Sequence, residues 1–155
     1  MSVESVIDIR GLDPREESFS QVLKLRYKLL DEPVGWQEVA EPSDNDLDPD
    51  NFHVGAFALD RLVSAVRADK HDSETYEIRR MVTDPEFQGL GIGRNVLEYT
   101  EEHVRLVGAR GLLLSSTPGA VGFYRNMGYE QTDDDDDGIW WQGIFYRRMY
   151  KVLDK

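Results

Sequence analysis

The 155-residue sequence contains no cysteine, which excludes disulfide bonds, a thiol nucleophile and a thiolate metal site. No apolar run reaches the ~20 residues of a membrane-spanning helix, and no basic-then-apolar signal segment begins the chain. Basic residues are also scarce, since 18 Lys and Arg against 30 Asp and Glu give a formal net charge of −12. Such a chain lacks the basic surface that non-specific nucleic-acid binding requires. We therefore expect one cytoplasmic domain over residues 1–155 that binds neither membrane nor nucleic acid.

Hydrophobic periodicity predicts strands that alternate with helices. The predicted strands cover residues 5–10, 52–59, 62–68, 75–83 and 112–114, followed by one from 129 onward and one within 141–153. The predicted helices run from a cap at Asp13 through Pro14 to Leu30, over 91–107 and over 118–127. This order is typical of a mixed α/β (α+β) fold with a largely antiparallel sheet.

Residues 31–51 form the longest predicted loop, with room for a short helical turn. Trp36 in this loop either anchors it to the core, which is our main interpretation, or lines a substrate pocket. The aromatic run Ile139-Trp140-Trp141 serves the core or a homodimer contact, and the sequence leaves both roles open. The five aspartates at 133–137 are interpreted as a solvated hairpin tip, because consecutive carboxylates lack the spacing of a calcium loop. His53, His71 and His103 have no metal-site spacing, so no metal is predicted.

A strand, a glycine-rich loop and a helix start follow one another between Tyr76 and Asn95. The turn signal Asp84-Pro85 ends the strand, and Gly89, Gly91 and Gly93 precede the helix. Glycines let the backbone approach a ligand, and the N–H groups and dipole at a helix start favour an anion, so the stretch predicts a phosphate site. The loop is neither a Walker A loop nor a G-x-G-x-x-G dinucleotide loop. A helix start that only allows close packing is the alternative.

Two motifs in this order resemble those of the GNAT N-acetyltransferase superfamily. Gln88-x-x-Gly91-x-Gly93 resembles its Q/R-x-x-G-x-G/A signature, and the segment from Ala120 to Tyr129 resembles its A-x-x-F-Y-x-x-x-G-F/Y motif. Residues 29–36 are a weaker match to small bacterial members. The resemblance implies the GNAT fold, in which helices flank a mixed, mostly antiparallel sheet of six or seven strands. It also implies a splayed strand pair at the cofactor site.

By the same resemblance, acetyl-CoA is the expected cosubstrate, its pyrophosphate held by backbone N–H groups of the loop. The strand end would pair with the pantetheine arm, and the N–H of Val82 or Met81 would face the thioester oxygen. Because coenzyme A is polyanionic, its site is expected to be locally positive, with the charge supplied by the loop N–H groups and Arg94, and Arg125 near them. Ser115 and Ser116 either bind pantetheine or cap the next turn. The full expected cofactor set is Met81, Val82, Thr83, Gln88, Gly89, Leu90, Gly91, Ile92, Gly93, Arg94 and Ser115.

The resemblance implies two catalytic residues. Tyr124 matches the family tyrosine that protonates the departing sulfur, and its alternative role is a ring packed on the sheet. Glu77 matches the general base of the histone-acetyltransferase branch, and its alternative is a strand carboxylate paired with arginine. Simple alternation would place Glu77, Arg79, Met81 and Thr83 on one face of the strand. Arg79 or Arg80 would bind an acidic substrate group or pair with Glu77.

The predicted function is therefore acetyl-CoA-dependent N-acetyl transfer to a primary amine within a ternary complex. The lack of cysteine excludes a cysteine-linked acyl-enzyme. Small-molecule and peptide amines both remain open as acceptors, and the negative charge favours cationic ones. The alternatives are a catalytically silent domain that binds or senses acyl-CoA, and a domain for another nucleotide.

Overall fold

The computed structural model describes residues 6–132 and 138–153, which form one mixed sheet with helices on both faces. The strands are β1 Ile7–Leu12, β2 Phe52–Ala58, β3 Arg61–Lys70, β4 Thr75–Thr83, β5 Gly111–Ser116, β6 Glu130–Gln131, β7 Gly138–Trp141 and β8 Ile144–Val152. They run in the order β1-β2-β3-β4-β5-β8-β6, and β7 also pairs with β8. β4 and β5 pair in parallel, and the remaining pairs among the described strands are antiparallel.

The expected fold class is confirmed, with a correction to the number of strands. The sheet has eight strands rather than six or seven, because residues 138–141 form a separate short strand along the edge of β8. Trp141 therefore belongs to β7, and the last strand begins at Ile144. The five aspartates at 133–137 lie outside the described residues.

The helices are α1 Phe19–Arg26, α2 Asp44–Leu47, α3 Ile92–Leu106 and α4 Val121–Asn126. The predicted helix start at Asp13 is wrong. The Asp13 carbonyl accepts the N–H of Glu16 at 3.0 Å and its carboxylate accepts the N–H of Arg15 at 2.9 Å, so these residues form a turn. Regular helix begins at Phe19, where buried apolar side chains first recur. None of the described helices is long and apolar enough to cross a bilayer.

The predicted helical turn inside the long loop is confirmed as α2. Ser43 and Asp46 form a reciprocal capping box at its start. The buried Asp46 carboxylate also accepts hydrogen bonds from Arg26 at 2.9 and 3.0 Å and from Arg67 at 2.9 Å. Burial alone would raise the pKa of Asp46, but the charge of Arg26 and the hydrogen bonds lower it to about 2. This ion-pair cluster joins the loop to α1 and β3.

Two apolar cores lie on opposite faces of the sheet. α3 packs on one face with side chains of β2 to β5, and α1 packs on the other face against Phe57, Leu62 and Ala65. Leu112 and Leu114 of β5 are fully buried, as the apolar run predicted. The two helices thus cover the two sides of the same central strands.

A β-bulge in β4 corrects the predicted alternation. The β3–β4 register shifts between Ala65 and Arg67, and Arg80 has a φ of 55°, which is rare for a residue with a side chain. Tyr76 and Ile78 belong to the α3-side core, yet beyond the bulge Met81 packs there and Val82 packs in the α1-side core. The bulge therefore moves Met81 and Thr83 off the face that carries Glu77.

The sheet splays directly beside this bulge. β4 and β5 pair only from Thr75–Gly111 to Glu77–Leu113, although β4 continues to Thr83 and β5 to Ser116. The ends of the two strands therefore diverge and leave a gap in the centre of the sheet.

Candidate active site

Two cavities meet at the gap between β4 and β5 and share Met81, Ala120 and Tyr124. The first, which we name the α1-side cavity, has a volume of about 640 Å³ and reaches Leu30 and Asp31 at the end of the first helix. The second, which we name the α3-side groove, has a volume of about 590 Å³ and is lined by the glycine-rich loop and the start of α3. Both volumes fall in the range of small-molecule sites, ~300–1,000 Å³.

The glycine-rich loop takes a conformation that favours glycine at two positions. Gly89 and Gly91 have φ angles of 80° and 81°, and Gly91 stands at the N-cap of α3. A side chain there would cost roughly 1–2 kcal/mol of strain per residue. The Gln88 side-chain amide donates to the Thr83 carbonyl at 3.2 Å and ties the loop to β4. The loop is thus held close to the end of that strand.

The start of α3 offers unpaired backbone donors to the groove. Within the described residues, no acceptor pairs with the N–H groups of residues 89–94. Arg94 is the one charged side chain among the described residues that line the groove, and it is paired with Glu98 at 3.0 Å. The groove therefore combines unpaired N–H groups, the positive end of a helix dipole and an arginine, and no carboxylate is among its described lining residues. This combination favours a bound anion.

Tyr124 stands where the two cavities join. Its hydroxyl lies 3.7 Å from the Met81 sulfur, and its ring packs edge-on against Phe123 and Tyr129. Burial raises the pKa of Tyr124 to about 12, so the phenol stays protonated at neutral pH. The residue can therefore offer a proton or a hydrogen bond to an atom at the junction.

The position of Tyr124 depends on a buried polar contact behind it. The Tyr129 hydroxyl donates to Glu101 at 2.8 Å, and Lys151 donates to the same carboxylate at 3.0 Å and to the Met127 carbonyl at 2.7 Å. These bonds join the end of α4 to α3 and β8, so the helix that carries Tyr124 is fixed at its C-terminal end.

Glu77 lies in the α1-side cavity and is already paired. Its Oε2 accepts from Arg148 at 3.1 Å and faces Arg79 at 3.4 Å. Arg148 also donates to Ser115 at 3.2 Å. Ser115 therefore lies with Glu77 in the α1-side cavity and does not line the α3-side groove, where the pantetheine arm was expected.

Arg80 makes a different contact from its neighbour. Its two terminal nitrogens bind the nearly buried Asp31 carboxylate at 3.0 and 2.9 Å. Asp31 ends the π-helical turn Tyr27–Asp31 that continues α1. This bidentate pair connects the bulge of β4 to the segment that carries Trp36.

The α1-side cavity has an aromatic wall. The rings of Trp36 and Trp141 meet edge-to-face with centroids 5.1 Å apart, and Trp141 and Tyr146 are 6.4 Å apart. Trp36 belongs to neither apolar core and lines the cavity, so our main interpretation of it as a core anchor is wrong. Sequence reasoning had no signal for its contact with Trp141, because the two residues come from segments far apart in the chain.

The structure brings most of the expected cofactor residues together. The α3-side groove is lined by Met81, Val82, Thr83, Gln88, Gly89, Gly91, Ile92, Gly93 and Arg94. Leu90 packs against the core instead, so its side chain does not line the groove. Ser116 lines the α1-side cavity and donates to the Thr117 carbonyl at 2.8 Å, and Arg125 lines neither cavity.

The histidines lie away from the junction. His53 is buried, with Nε2 3.0 Å from the Asp46 carbonyl, and burial lowers its pKa. The His103 ring packs on Phe52 with centroids 4.2 Å apart. In the part of the chain that the structure describes, no three His, Asp or Glu side chains group as metal ligands would.

Comparisons with known proteins agree on one family. Residues 29–149 match the family model described as an acetyltransferase (GNAT) domain. An uncharacterised N-acetyltransferase, ycf52, of Porphyra purpurea is 31% identical over 81 residues, which are 52% of this chain and 47% of that protein. The chain thus aligns with about half the length of this curated relative.

Solved structures share the fold over nearly the whole chain. Escherichia coli ElaA superposes with a TM-score of 0.77 at 22% identity, covering 94% of this chain and 99% of that one. An aminoglycoside 6'-N-acetyltransferase complexed with coenzyme A gives a TM-score of 0.76 at 15% identity, covering 96% and 99%. At sequence identities this low, the similarity to these two structures shows a shared fold and does not show a shared substrate.

Proposed function

The chain belongs to the GNAT acetyltransferase family, and from this premise we propose that it moves an acetyl group from acetyl-CoA to a primary amine. The observation that carries the proposal is the set of unpaired N–H groups at residues 89–94, which opens into a groove that ends at Tyr124. A diphosphate bound at the loop would direct the pantetheine arm along Met81 to Thr83 toward that tyrosine. The related fold that is crystallised with coenzyme A supports the choice of cosubstrate.

The proposed transfer is direct. The amine, after loss of one proton from its ammonium form, attacks the thioester carbonyl carbon, so a C–N bond forms and the C–S bond breaks. The nitrogen loses its second proton as the sulfur leaves with the bonding pair and takes up one proton. The products are free CoA, the acetylated amine and, relative to the ammonium, one proton released to solvent. The N–H of Met81 or Val82 at the bulge is the proposed donor to the oxyanion.

Tyr124 is the proposed acid for the departing sulfur, and its pKa sets how it acts. That pKa, about 12, lies roughly 3.5 pH units above the ~8.5 of a free thiol, so complete transfer to an unperturbed thiolate would cost about 5 kcal/mol. The same apolar burial raises the pKa of a sulfur bound beside the phenol. We therefore propose that Tyr124 hydrogen-bonds to the sulfur before the C–S bond breaks and passes its proton to the sulfur as that bond breaks. Tyr124 then regains a proton, through solvent, from the nitrogen of the intermediate.

Glu77 is the proposed general base, acting through a water molecule. Its Oε2 is paired with Arg148 and Arg79, and Oε1 accepts no hydrogen bond from the described residues. Oε1 is therefore the atom that we assign to proton removal. Glu77→Gln is expected to lower kcat about 10²-fold or more, while Glu102→Gln on the exposed side of α3, where Glu102 pairs with Arg105 outside both cavities, leaves it unchanged.

A silent acyl-CoA sensor is the second candidate, favoured by the ion pairs that already occupy Glu77. Release of free thiol from acetyl-CoA in the presence of an amine panel separates the two functions. An enzyme releases CoA in an amine-dependent way, whereas a sensor is thermally stabilised by CoA without turnover. Stabilisation by ATP or NAD instead of CoA would contradict both. A cytoplasmic location and a homodimer stay predictions of the sequence.

A further inference from the structure

The proposed transfer does not identify the amine that accepts the acetyl group. The aromatic side chains that line the α1-side cavity indicate its chemical class. The angle between the ring planes is 83° for Trp36 and Trp141, and 63° for Trp141 and Tyr146. These side chains come from the segment after α1 and from the β7–β8 hairpin. Aromatic rings in this arrangement present both faces and edges to a third ring.

The two tryptophans are not needed to fill the interior. Trp36 is 46% exposed and Trp141 is 39% exposed, and neither belongs to an apolar core. Leu30, Val34 and Ile139 extend the apolar lining around them. A concave, aromatic surface of this kind fits a flat apolar group of a small ligand.

The charges of the cavity argue against a polycation. Asp31 and Glu77 are the carboxylates among its described lining residues, and both are paired. Arg80 holds Asp31 at 2.9 and 3.0 Å, and Arg148 holds Glu77 at 3.1 Å. A polyamine or an aminoglycoside would bring several ammonium groups to a site whose two carboxylates are each already paired with an arginine. The net charge of −12 therefore does not give this cavity a preference for ligands with several positive charges.

We propose that the acceptor is an arylalkylamine, a primary amine joined by a short alkyl chain to an aromatic ring. The ring lies against Trp36 and Trp141, and the nitrogen reaches the junction at Met81 and Tyr124. The cavity volume of about 640 Å³ accommodates a molecule of this size. This assignment rests on the proposed function, because the bound amine is the nucleophile of the transfer described above.

An amine panel with acetyl-CoA tests the assignment. 2-Phenylethylamine and tryptamine are compared with 2-cyclohexylethylamine, which has a similar size without an aromatic ring, and with spermidine. We expect kcat/KM for the aryl amines to exceed that for the cyclohexyl amine by about three- to tenfold, the contribution of an aromatic contact, and that for spermidine by more. Equal or higher kcat/KM for the cyclohexyl amine or spermidine overturns the assignment.

Three tryptophan variants locate the ring. Trp36→Leu and Trp141→Leu are each expected to raise the KM for 2-phenylethylamine about tenfold and to leave the KM for acetyl-CoA unchanged. Trp140→Leu is the matched control, because Trp140 is 73% exposed, packs on Phe145 and lies outside the cavity. An equal effect of Trp140→Leu, or unchanged KM in the other two variants, overturns the assignment.

Calorimetry separates failure of this assignment from failure of the proposed function. If CoA does not bind and no amine is acetylated, the proposed function fails, and with it the assignment. If spermidine alone is acetylated, only the acceptor class is wrong. If CoA binds without turnover on any amine, 2-phenylethylamine is titrated into the CoA-saturated protein. Binding that Trp36→Leu abolishes then supports the aromatic site, and no binding overturns it.

Discussion

Removal of the Tyr124 hydroxyl is the sharpest test of the proposed mechanism. In Tyr124→Phe the ring still packs on Phe123 and Tyr129, and the lost contact is the long one to the Met81 sulfur at 3.7 Å. A weak hydrogen bond of this kind contributes no more than about 1 kcal/mol to folding. We therefore expect the unfolding midpoint of the variant to stay close to that of the wild type.

The expected loss of turnover is much larger. A general acid contributes about 10²- to 10⁴-fold in rate, which corresponds to roughly 3–5 kcal/mol of activation free energy. The dependence of the rate on pH gives a second test. Burial raises the pKa of Tyr124 to about 12, and the protonated form, which is the acid, predominates below that pKa. The wild-type rate should therefore show no alkaline fall from this group until the pH approaches 12.

Initial rates of CoA release at saturating acetyl-CoA and amine measure the effect, and calorimetry measures CoA affinity. Tyr99→Phe is the matched control, because it deletes the same atom from an exposed side chain of α3 outside both cavities. A kcat for Tyr124→Phe within about threefold of wild type would refute the reasoning, since a lost acid costs at least ~10²-fold. A variant that loses CoA affinity with unchanged kcat would reassign Tyr124 to binding.

Three further changes test other parts of the structure. Gly91→Ala should destabilise the protein by about 1–2 kcal/mol and weaken CoA binding, because Gly91 has a φ of 81°, whereas Gly122→Ala on α4 should do neither in thermal and calorimetric titrations. Asp46→Asn should cost about 3–5 kcal/mol in urea unfolding at pH 7, because Arg26 loses its buried partner. The pKa of Asp46 in the folded protein, about 2, lies below its ordinary value of 3.8, so the carboxylate stabilises the fold above pH 3.8. About 2–3 kcal/mol of the stability difference between wild type and Asp46→Asn should be lost as the pH falls from about 5 to about 1, and a difference that does not change with pH would contradict this assignment. Asp31→Asn should raise the KM for acetyl-CoA several-fold by loosening the bulge at Arg80, and an equal effect of Glu32→Gln would reject this positioning role.

Sequence reasoning found the parts of the site that are continuous in the chain. The loop from Gln88 to Gly93 and the segment around Tyr124 each carry a local signal, because turn glycines and a helix start leave a pattern within ten residues. Their meeting across the gap between β4 and β5 followed from the family resemblance and not from the pattern itself. The element order likewise sufficed for the fold class, while the short edge strand β7 was missed.

Features that depend on distant contacts could not be predicted in this way. Strict alternation along β4 placed Met81 with Glu77, but one extra residue in the strand reverses the faces, and an arginine with positive φ has no sequence signal. The cap at Asp13 satisfied every local rule for a helix start, yet the same donors and acceptors close a turn. The contact between Trp36 and Trp141 arises only when the loop and the hairpin meet.

The divergence of β4 from β5 also bears on the order of events in the reaction. The α3-side groove and the α1-side cavity open on opposite faces of the sheet and touch only around Tyr124. In the proposed transfer, a nucleotide bound on one face leaves the route to the other face free, so we expect that either reactant is able to bind first. We also expect each product to leave by the path of its own parent molecule, so that free CoA competes with acetyl-CoA but not with the amine.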